Sequence, residues 1–259
     1  MNEKAQQVLT LVITFIGILS PNLLSLLPGS GDTGAISGQY FRNVFIVPAD
    51  YAFAIWAPIY LGFLAFAVYQ ALPAQRGNSR FTRTRPWLMA SSLLNLAWIV
   101  SFNNLLFPLS LVLIVGMLVT ALVMHRTLEI GQTPVTGPER WLRVPFSLYA
   151  GWLTVATVVN ASGVLAVGNW SAFGIAYPAW GVVMLVVAAL IGLFTRFRWN
   201  DPVYGGVFVW ALIAIVVARS ETPSVALTAG LLALVFGLTL LPPVQRLLRP
   251  SGLNPSSGD

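Results

Sequence analysis

Aromatic and amide side chains at helical spacing are the residues of this sequence best suited to hold a ligand. They occur on three apolar segments, at intervals of three or four residues that place them on one face of each helix, with one threonine beside them. Flat rings offer stacking surfaces, and a few amides and hydroxyls orient an apolar or amphipathic ligand. The sequence therefore predicts an aromatic-walled binding cavity. Its candidate residues are Phe53, Trp56, Tyr60, Asn95, Trp98, Trp152, Ala156, Thr157 and Asn160.

The same residues have a purely structural alternative. Tryptophan and tyrosine gather at membrane interfaces as anchors, and asparagine or threonine often bridges two helices. On spacing alone, both interpretations stay open. Because Asn95 and Asn160 lie on the faces just described, we expect both to point into the core of a helix bundle.

Few other side chains could do chemistry. Cysteine is absent, which excludes disulfides, thiolate metal sites and cysteine nucleophiles. The single histidine, His125, precedes Arg126 at the end of an apolar segment, and we interpret it as an interfacial residue, with axial haem ligation as the alternative. Carboxylates such as Glu139 and Asp201 lie at segment ends or in loops, so ion-coupled transport is disfavoured. We therefore expect no catalytic residues, no protein metal site and no required cofactor.

The composition predicts a membrane protein. Of 259 residues, 57% are hydrophobic and only 8% are charged, and the mean hydropathy is +0.79. A soluble domain of this length could not bury so much apolar surface in one core, whereas a bilayer solvates the outside of each helix. The apolar runs are continuous and do not alternate with a period of two, which favours helices over a barrel. We therefore predict an all-α, polytopic integral membrane protein.

Eight apolar runs have about the length needed to cross the roughly 30 Å hydrocarbon core of a bilayer. Three prolines inside these runs, Pro21, Pro58 and Pro145, should kink their helices. The longest loop, residues 29–50, joins the first two runs. The predicted spans are 8–28, 51–72, 86–105, 108–125, 139–163, 173–195, 203–218 and 223–241.

The distribution of positive charge predicts the orientation. With the N-terminus in the cytoplasm, twelve lysines and arginines fall on the cytoplasmic side and two, Arg42 and Arg219, fall on the other. Both termini are therefore expected to be cytoplasmic, in a bacterial cytoplasmic membrane. This topology explains the net charge of +6, which does not predict binding to nucleic acid. Four arginines between the second and third spans are interpreted as orientation determinants, with acidic lipid head groups or porphyrin carboxylates as alternative partners: Arg76, Arg80, Arg83 and Arg85.

Three motifs resemble those of one family of membrane proteins. Residues 48–60 (PADYAFAIWAPIY) resemble the entry to the second helix in the TspO/MBR family, with a Phe-to-Trp interval one residue shorter. These are the tryptophan-rich sensory proteins, related to the mitochondrial translocator protein or peripheral benzodiazepine receptor. Residues 94–98 are similar to the family's Leu-Asn-x-x-Trp motif on the third helix, and residues 152–160 to its Trp-x-x-x-Ala-Thr-x-x-Asn motif on the fifth. The resemblance covers about residues 8–165.

The resemblance implies an organisation and a binding site. It implies a TspO-like core of five helices at 1–165. Beyond the resemblance, the apolar runs predict three additional helices at 166–245, and the polar composition predicts a flexible cytoplasmic tail at 246–259. Members of the family that this chain resembles bind tetrapyrroles such as haem and protoporphyrin, and some members bind sterols. By resemblance, the tryptophans, asparagines and alanine among the candidate residues line the pocket, and the loop 29–50 covers it. The family's sterol-associated Tyr followed by Lys or Arg is missing after Asn160, which disfavours sterol binding.

Three functions stay open at this point. The first is a non-enzymatic binding, sensory or transfer protein for a tetrapyrrole-like or other lipophilic ligand, such as haem or porphyrin. The second is a facilitative transporter of a small hydrophobic solute, with Pro58 and Pro145 as gates. The third is a structural or pigment-associated subunit of a larger membrane complex. Expected partners are membrane lipids, the lipophilic small molecule, and either a second copy of the chain or a larger complex. Oxidative porphyrin breakdown, suggested for some relatives, is not predicted by these residues.

Overall fold

The computed structural model describes residues 2–24 and 33–242, and of residues 20–24 it describes the backbone alone. Regular structure in this part of the chain is helical, as predicted, and the predicted tail at 246–259 lies outside it. Short 3₁₀ helices occur at Asp50–Ile55, Pro73–Gln75 and Ala172–Gly174. The α-helices are α1 (Glu3–Leu24), α2 (Thr33–Tyr40), α3 (Trp56–Ala71), α4 (Ser79–Asn103), α5 (Phe107–Thr127), α6 (Pro138–Val167), α7 (Tyr177–Trp199), α8 (Pro202–Ala218) and α9 (Pro223–Thr239).

Five of these helices pack as a closed ring. Helix α1 packs against α3 and α4, α5 packs between α4 and α6, and α3 closes the ring against α6. Helices α3 and α6 approach closely where Gly62 meets Pro145, since a Cβ at Gly62 would overlap the proline ring. The ring gives each helix two neighbours, so the side chains facing its centre come from all five segments.

The last three helices pack on one another and on one side of the ring. Helix α9 contacts α7 and α8, and both α7 and α8 contact α6. Gly192 of α7 faces the rings of Phe208 and Phe236, which stack with centroids 4.6 Å apart. On the other side, Gly151 of α6 leaves room for Val207 of α8. Small residues thus let the helices approach closely, as is typical of membrane bundles.

Four segments in the described residues are long and apolar enough to cross a membrane: Asp50–Ala71, Phe107–Thr127, Pro138–Val167 and Tyr177–Trp199. Helices α8 and α9 are apolar but have 17 residues each, at the lower end of the length that a span needs. The predicted integral membrane fold is confirmed, whereas the count of eight spans stays a prediction.

The predicted kink at Pro58 stays a prediction, and the predicted loop 29–50 contains a helix. The 3₁₀ helix Asp50–Ile55 runs directly into α3, which begins at Trp56, so Pro58 lies just after the junction of the two. Pro145, in contrast, lies inside α6, as expected. The eight residues of α2 form a short helix between α1 and the 3₁₀ turn at Asp50–Ile55.

Three of the four clustered arginines form ion pairs within the protein. Buried Arg85 reaches Glu3 of α1 at 3.2 Å, and Arg80 of α4 reaches Glu129, after α5, at 2.8 Å. Arg83 also contacts Glu129, at 3.4 Å. The hydrogen bond from Arg80 holds the pKa of the Glu129 carboxyl below its usual value. These arginines therefore tie helix ends together, and few are free to hold lipid or porphyrin.

Reporter fusions test the predicted orientation. The structure places the ends of α1, α4 and α5 that carry these ion pairs at one end of the bundle. Arg219 lies at a loop beyond the other end of α8, where it donates to the carbonyl of Val44. We expect fusions after Asn78 and after Arg249 to report the cytoplasm, and a fusion after Glu221 to report the opposite side. Opposite compartments for the first two fusions would contradict an even number of spans between them.

Candidate functional site

A small pocket lies inside the five-helix ring, beneath the segment that follows α1. Its volume is about 40 Å³. Its walls come from α4, α5 and α6, from the first residue of α3 and the 3₁₀ turn before it, and from α2 and the loop behind it. Six of the nine predicted site residues line it together: Phe53, Trp56, Trp98, Trp152, Ala156 and Asn160.

The aromatic side chains of the pocket are oriented by packing against one another. Phe53 meets Trp152 edge to face, with ring centroids 5.7 Å apart and planes at 84°. Trp56 stacks on Tyr60 at 5.1 Å, because the two residues are one turn apart on α3. Each of these contacts stabilises by about 0.5–1.5 kcal/mol beyond area burial. The rings therefore form a preorganised wall.

Trp98, one of the lining residues, carries a buried polar group without a partner among the described residues. Trp98 is 7% exposed, and its indole Nε1–H finds no hydrogen-bond acceptor among the described residues. A buried donor left unpaired typically costs about 1–3 kcal/mol. At the same pocket, the side-chain amide oxygen of Asn160 accepts a hydrogen bond from the Ser110 hydroxyl at 3.3 Å. A residue of this wall thus carries a buried donor that has no acceptor among the described residues.

Three predicted residues do not line the pocket. The Tyr60 hydroxyl donates to the amide oxygen of Asn95 at 3.2 Å, and the Asn95 amide donates to the carbonyl of Gly17 at 3.4 Å. Both asparagines are buried, at 4% for Asn95 and 3% for Asn160, as expected. Tyr60 and Asn95 thus tie α3, α4 and α1 together behind the wall. Thr157 is half-buried and lies beside the lining face of α6.

A comparison with known families decides what kind of protein carries this pocket. A family model described as TSPO-like protein matches residues 7–241. The chain belongs to the TSPO-like family. The resemblance carried by the three motifs is thereby confirmed, and the match continues through α7, α8 and α9. Comparison with curated proteins and with solved structures gave no match.

Membership of the TSPO-like family supports a coarse statement of function. The protein is integral to the membrane, and its family indicates a membrane-bound ligand-binding or sensory protein. The division into a core at 1–165 and further helices at 166–245 stays a prediction.

The segment covering the pocket of this TSPO-like protein contributes residues that spacing alone does not predict. Thr33, Ser37, Phe41 and Pro48 all line the pocket. Phe41 is 2% exposed, and its ring packs over Gly163 of α6, where any Cβ would overlap it. The loop is rich in turn-forming and aromatic residues, which is the one feature of the sequence that points to it. That composition does not show which loop residue lies against which helix. We call residues 33–48 the cover segment.

A second buried cluster, which the sequence does not predict, joins the ring to α8. His125 Nε2 lies 2.9 Å from Asp201 Oδ2, and both side chains are nearly inaccessible. The His125 ring also stacks on Trp199, with centroids 3.8 Å apart. The other carboxylate oxygen of Asp201 accepts the N–H groups of Val203 and Tyr204 at the start of α8. His125 lies in the last turn of α5, at the end of its span, and its buried ring is engaged away from the pocket.

Proposed function

We propose that this TSPO-like protein binds a flat lipophilic ligand, such as a tetrapyrrole, in the pocket beneath the cover segment, as a non-enzymatic sensory or transfer protein. The observation that carries the proposal is the unpaired N–H of Trp98 in a wall that also contains Trp56 and Trp152. Indole faces suit a planar ligand, and the free donor suits an acceptor on that ligand. The family membership supports binding as the general role.

Ligand entry would require the cover segment to move. Ligand pockets commonly measure about 300–1,000 Å³, far more than the 40 Å³ of this one. The cover segment is the part of the wall most able to yield, because α2 has eight residues and packs mainly on α4. If the Phe41 ring moved away from its packing position over Gly163, the pocket between α4 and α6 would widen.

The lining residues fit a porphyrin without iron ligation better than a haem held through its iron. Among the described lining residues, none is histidine, cysteine, methionine or tyrosine, the side chains that ligate haem iron. His125 does not line the pocket, because its ring stacks on Trp199 and contacts Asp201 at the start of α8. Stacking and the Trp98 donor would hold the ring, and no metal chemistry is proposed for this site.

A structural or pigment-associated subunit is the second candidate. The small volume favours it, because a nearly filled core is what a scaffold needs. The transporter alternative keeps Pro58, near the start of α3, and Pro145, inside α6, as its proposed gates. Purification in mild detergent, followed by absorption spectra and mass spectrometry, distinguishes the binding protein from the structural subunit. We expect a stoichiometric small molecule for a binding protein, and co-purifying subunits without one for a scaffold.

Replacing the free donor tests the role of Trp98. Trp98→Phe keeps an aromatic face but removes the N–H. We therefore expect protoporphyrin affinity to fall roughly fivefold, because one hydrogen bond contributes about 1 kcal/mol. Thermal stability should stay equal or rise, because a buried unpaired donor disappears. The matched control is Trp141→Phe, whose side chain is 70% exposed outside the pocket. Equal affinity of both variants for protoporphyrin would show that the Trp98 N–H does not contact the ligand.

A further inference from the structure

A wide groove lies on the outer face of the protein, between the end of α3 and the start of α6. Its volume is about 1,050 Å³. One wall is the outward face of α3, including Leu64, Val68 and Tyr69. The other wall is the segment 135–142, which leads into α6. The groove is therefore separate from the pocket inside the ring.

One uncompensated cation stands at this groove. Arg140 is exposed and forms no ion pair among the described residues; the contact that places it is stacking over the Trp141 ring, 5.5 Å from its centroid. Its neighbour Arg143, in contrast, is paired with Glu139 at 2.8 Å. Arg80 is paired with Glu129 in the same region. The groove thus combines an apolar wall with a positive charge that the protein does not neutralise.

The position of the groove matches the boundary between head groups and hydrocarbon. Trp141 is 70% exposed beside Arg140, and tryptophan prefers the head-group level of a bilayer. Leu64 and Val68 lie deeper along α3, within the apolar span Asp50–Ala71, which has a mean hydropathy of 1.8. A lipid phosphate at Arg140 would therefore place an acyl chain along α3.

We propose that this groove binds an anionic phospholipid, with Arg140 contacting the phosphate and an acyl chain lying on α3. Charge complementarity selects this occupant, because an apolar partner helix would bury the unpaired guanidinium at a large cost. A free anion would leave the apolar wall without a partner. Guanidinium groups bind phosphate oxygens through charge-assisted, often bidentate hydrogen bonds.

Native mass spectrometry of the purified protein tests this proposal with two probes, dioleoyl-phosphatidylglycerol and dioleoyl-phosphatidylcholine. We expect the anionic lipid to bind more tightly. Arg140→Gln should weaken it about fivefold, the equivalent of about 1 kcal/mol for one basic residue near anionic lipid, and should leave phosphatidylcholine unchanged. Val68→Trp should weaken both lipids by filling the groove, since Val68 is 49% exposed on its wall.

The matched control is Arg126→Gln, which removes another exposed arginine from the arginine-rich end of the bundle, outside the groove. Both arginines are exposed, so both variants should keep the thermal stability of the parent protein. Equal phosphatidylglycerol affinities of the Arg140 and Arg126 variants would overturn the proposal, because the two charges would then act only through the general surface potential. Absence of any preference for the anionic lipid in the parent protein would overturn it as well.

Discussion

Ala156→Phe should abolish most of the protoporphyrin binding of this protein. Ala156 lies on the pocket-lining face of α6, one turn from Trp152 and one turn from Asn160. A phenyl ring there would occupy the pocket that the ligand needs, so a bound porphyrin would overpack the site, at a typical cost of about 1–3 kcal/mol. We therefore expect affinity to fall by roughly 5- to 150-fold, measured by titration of tryptophan fluorescence with protoporphyrin.

The matched control for this change is Ala57→Phe. Ala57 is exposed on α3, next in sequence to the pocket residue Trp56 but outside the pocket. The control should retain normal affinity, because its new ring faces outward. If both phenylalanine variants bind protoporphyrin like the parent protein, the ligand does not occupy this pocket.

Asp201→Ala should be among the most destabilising single changes in the described chain. It removes the carboxylate that bonds His125 and also caps the first turn of α8. A buried hydrogen bond to a charged group contributes about 1.5–3 kcal/mol, and the lost cap adds about 0.5–2 kcal/mol. We expect a clear fall in the free energy of unfolding, measured by thermal or denaturant unfolding in detergent.

Asp50→Ala provides the control for this prediction, since Asp50 is an exposed carboxylate at the start of a short 3₁₀ helix. It should change the free energy of unfolding by no more than about 0.5 kcal/mol. Equal stabilities for the two variants would mean that the contact between His125 and Asp201 does not hold α8 to the ring.

The helices and much of the pocket could be predicted from the sequence, because both depend on local periodicity. Apolar runs mark the helices, and prolines such as Pro138 and Pro223 lie in the first turns that they predict. Spacing of three or four residues identifies the face of α6 that carries Trp152 and Asn160. Tyr60 has the same spacing but does not line the pocket; it packs against Trp56 and bonds to Asn95 instead. Spacing could not predict this, because it does not show how far each helix is rotated about its axis in the bundle.

The features that sequence does not predict depend on contacts between distant segments. His125 and Asp201 are 76 positions apart, and neither has a local pattern that predicts the other. Phe41 reaches the pocket because Gly163, on another helix, leaves space for its ring. Asp201 lies at a helix start, as expected, yet it is 2% exposed, because α5 and α6 cover the place where α8 begins.

Protoporphyrin titration of the parent protein and of Trp152→Ala tests the central claim most directly. Trp152 is 2% exposed and forms part of the aromatic wall with Phe53. We expect saturable quenching of the parent protein at one porphyrin per chain, and weaker binding by a variant that remains folded, since loss of a stacking contact costs on the order of 1 kcal/mol beyond area burial. Non-saturable quenching that is the same in both proteins would contradict a ligand pocket at this site and favour the structural subunit.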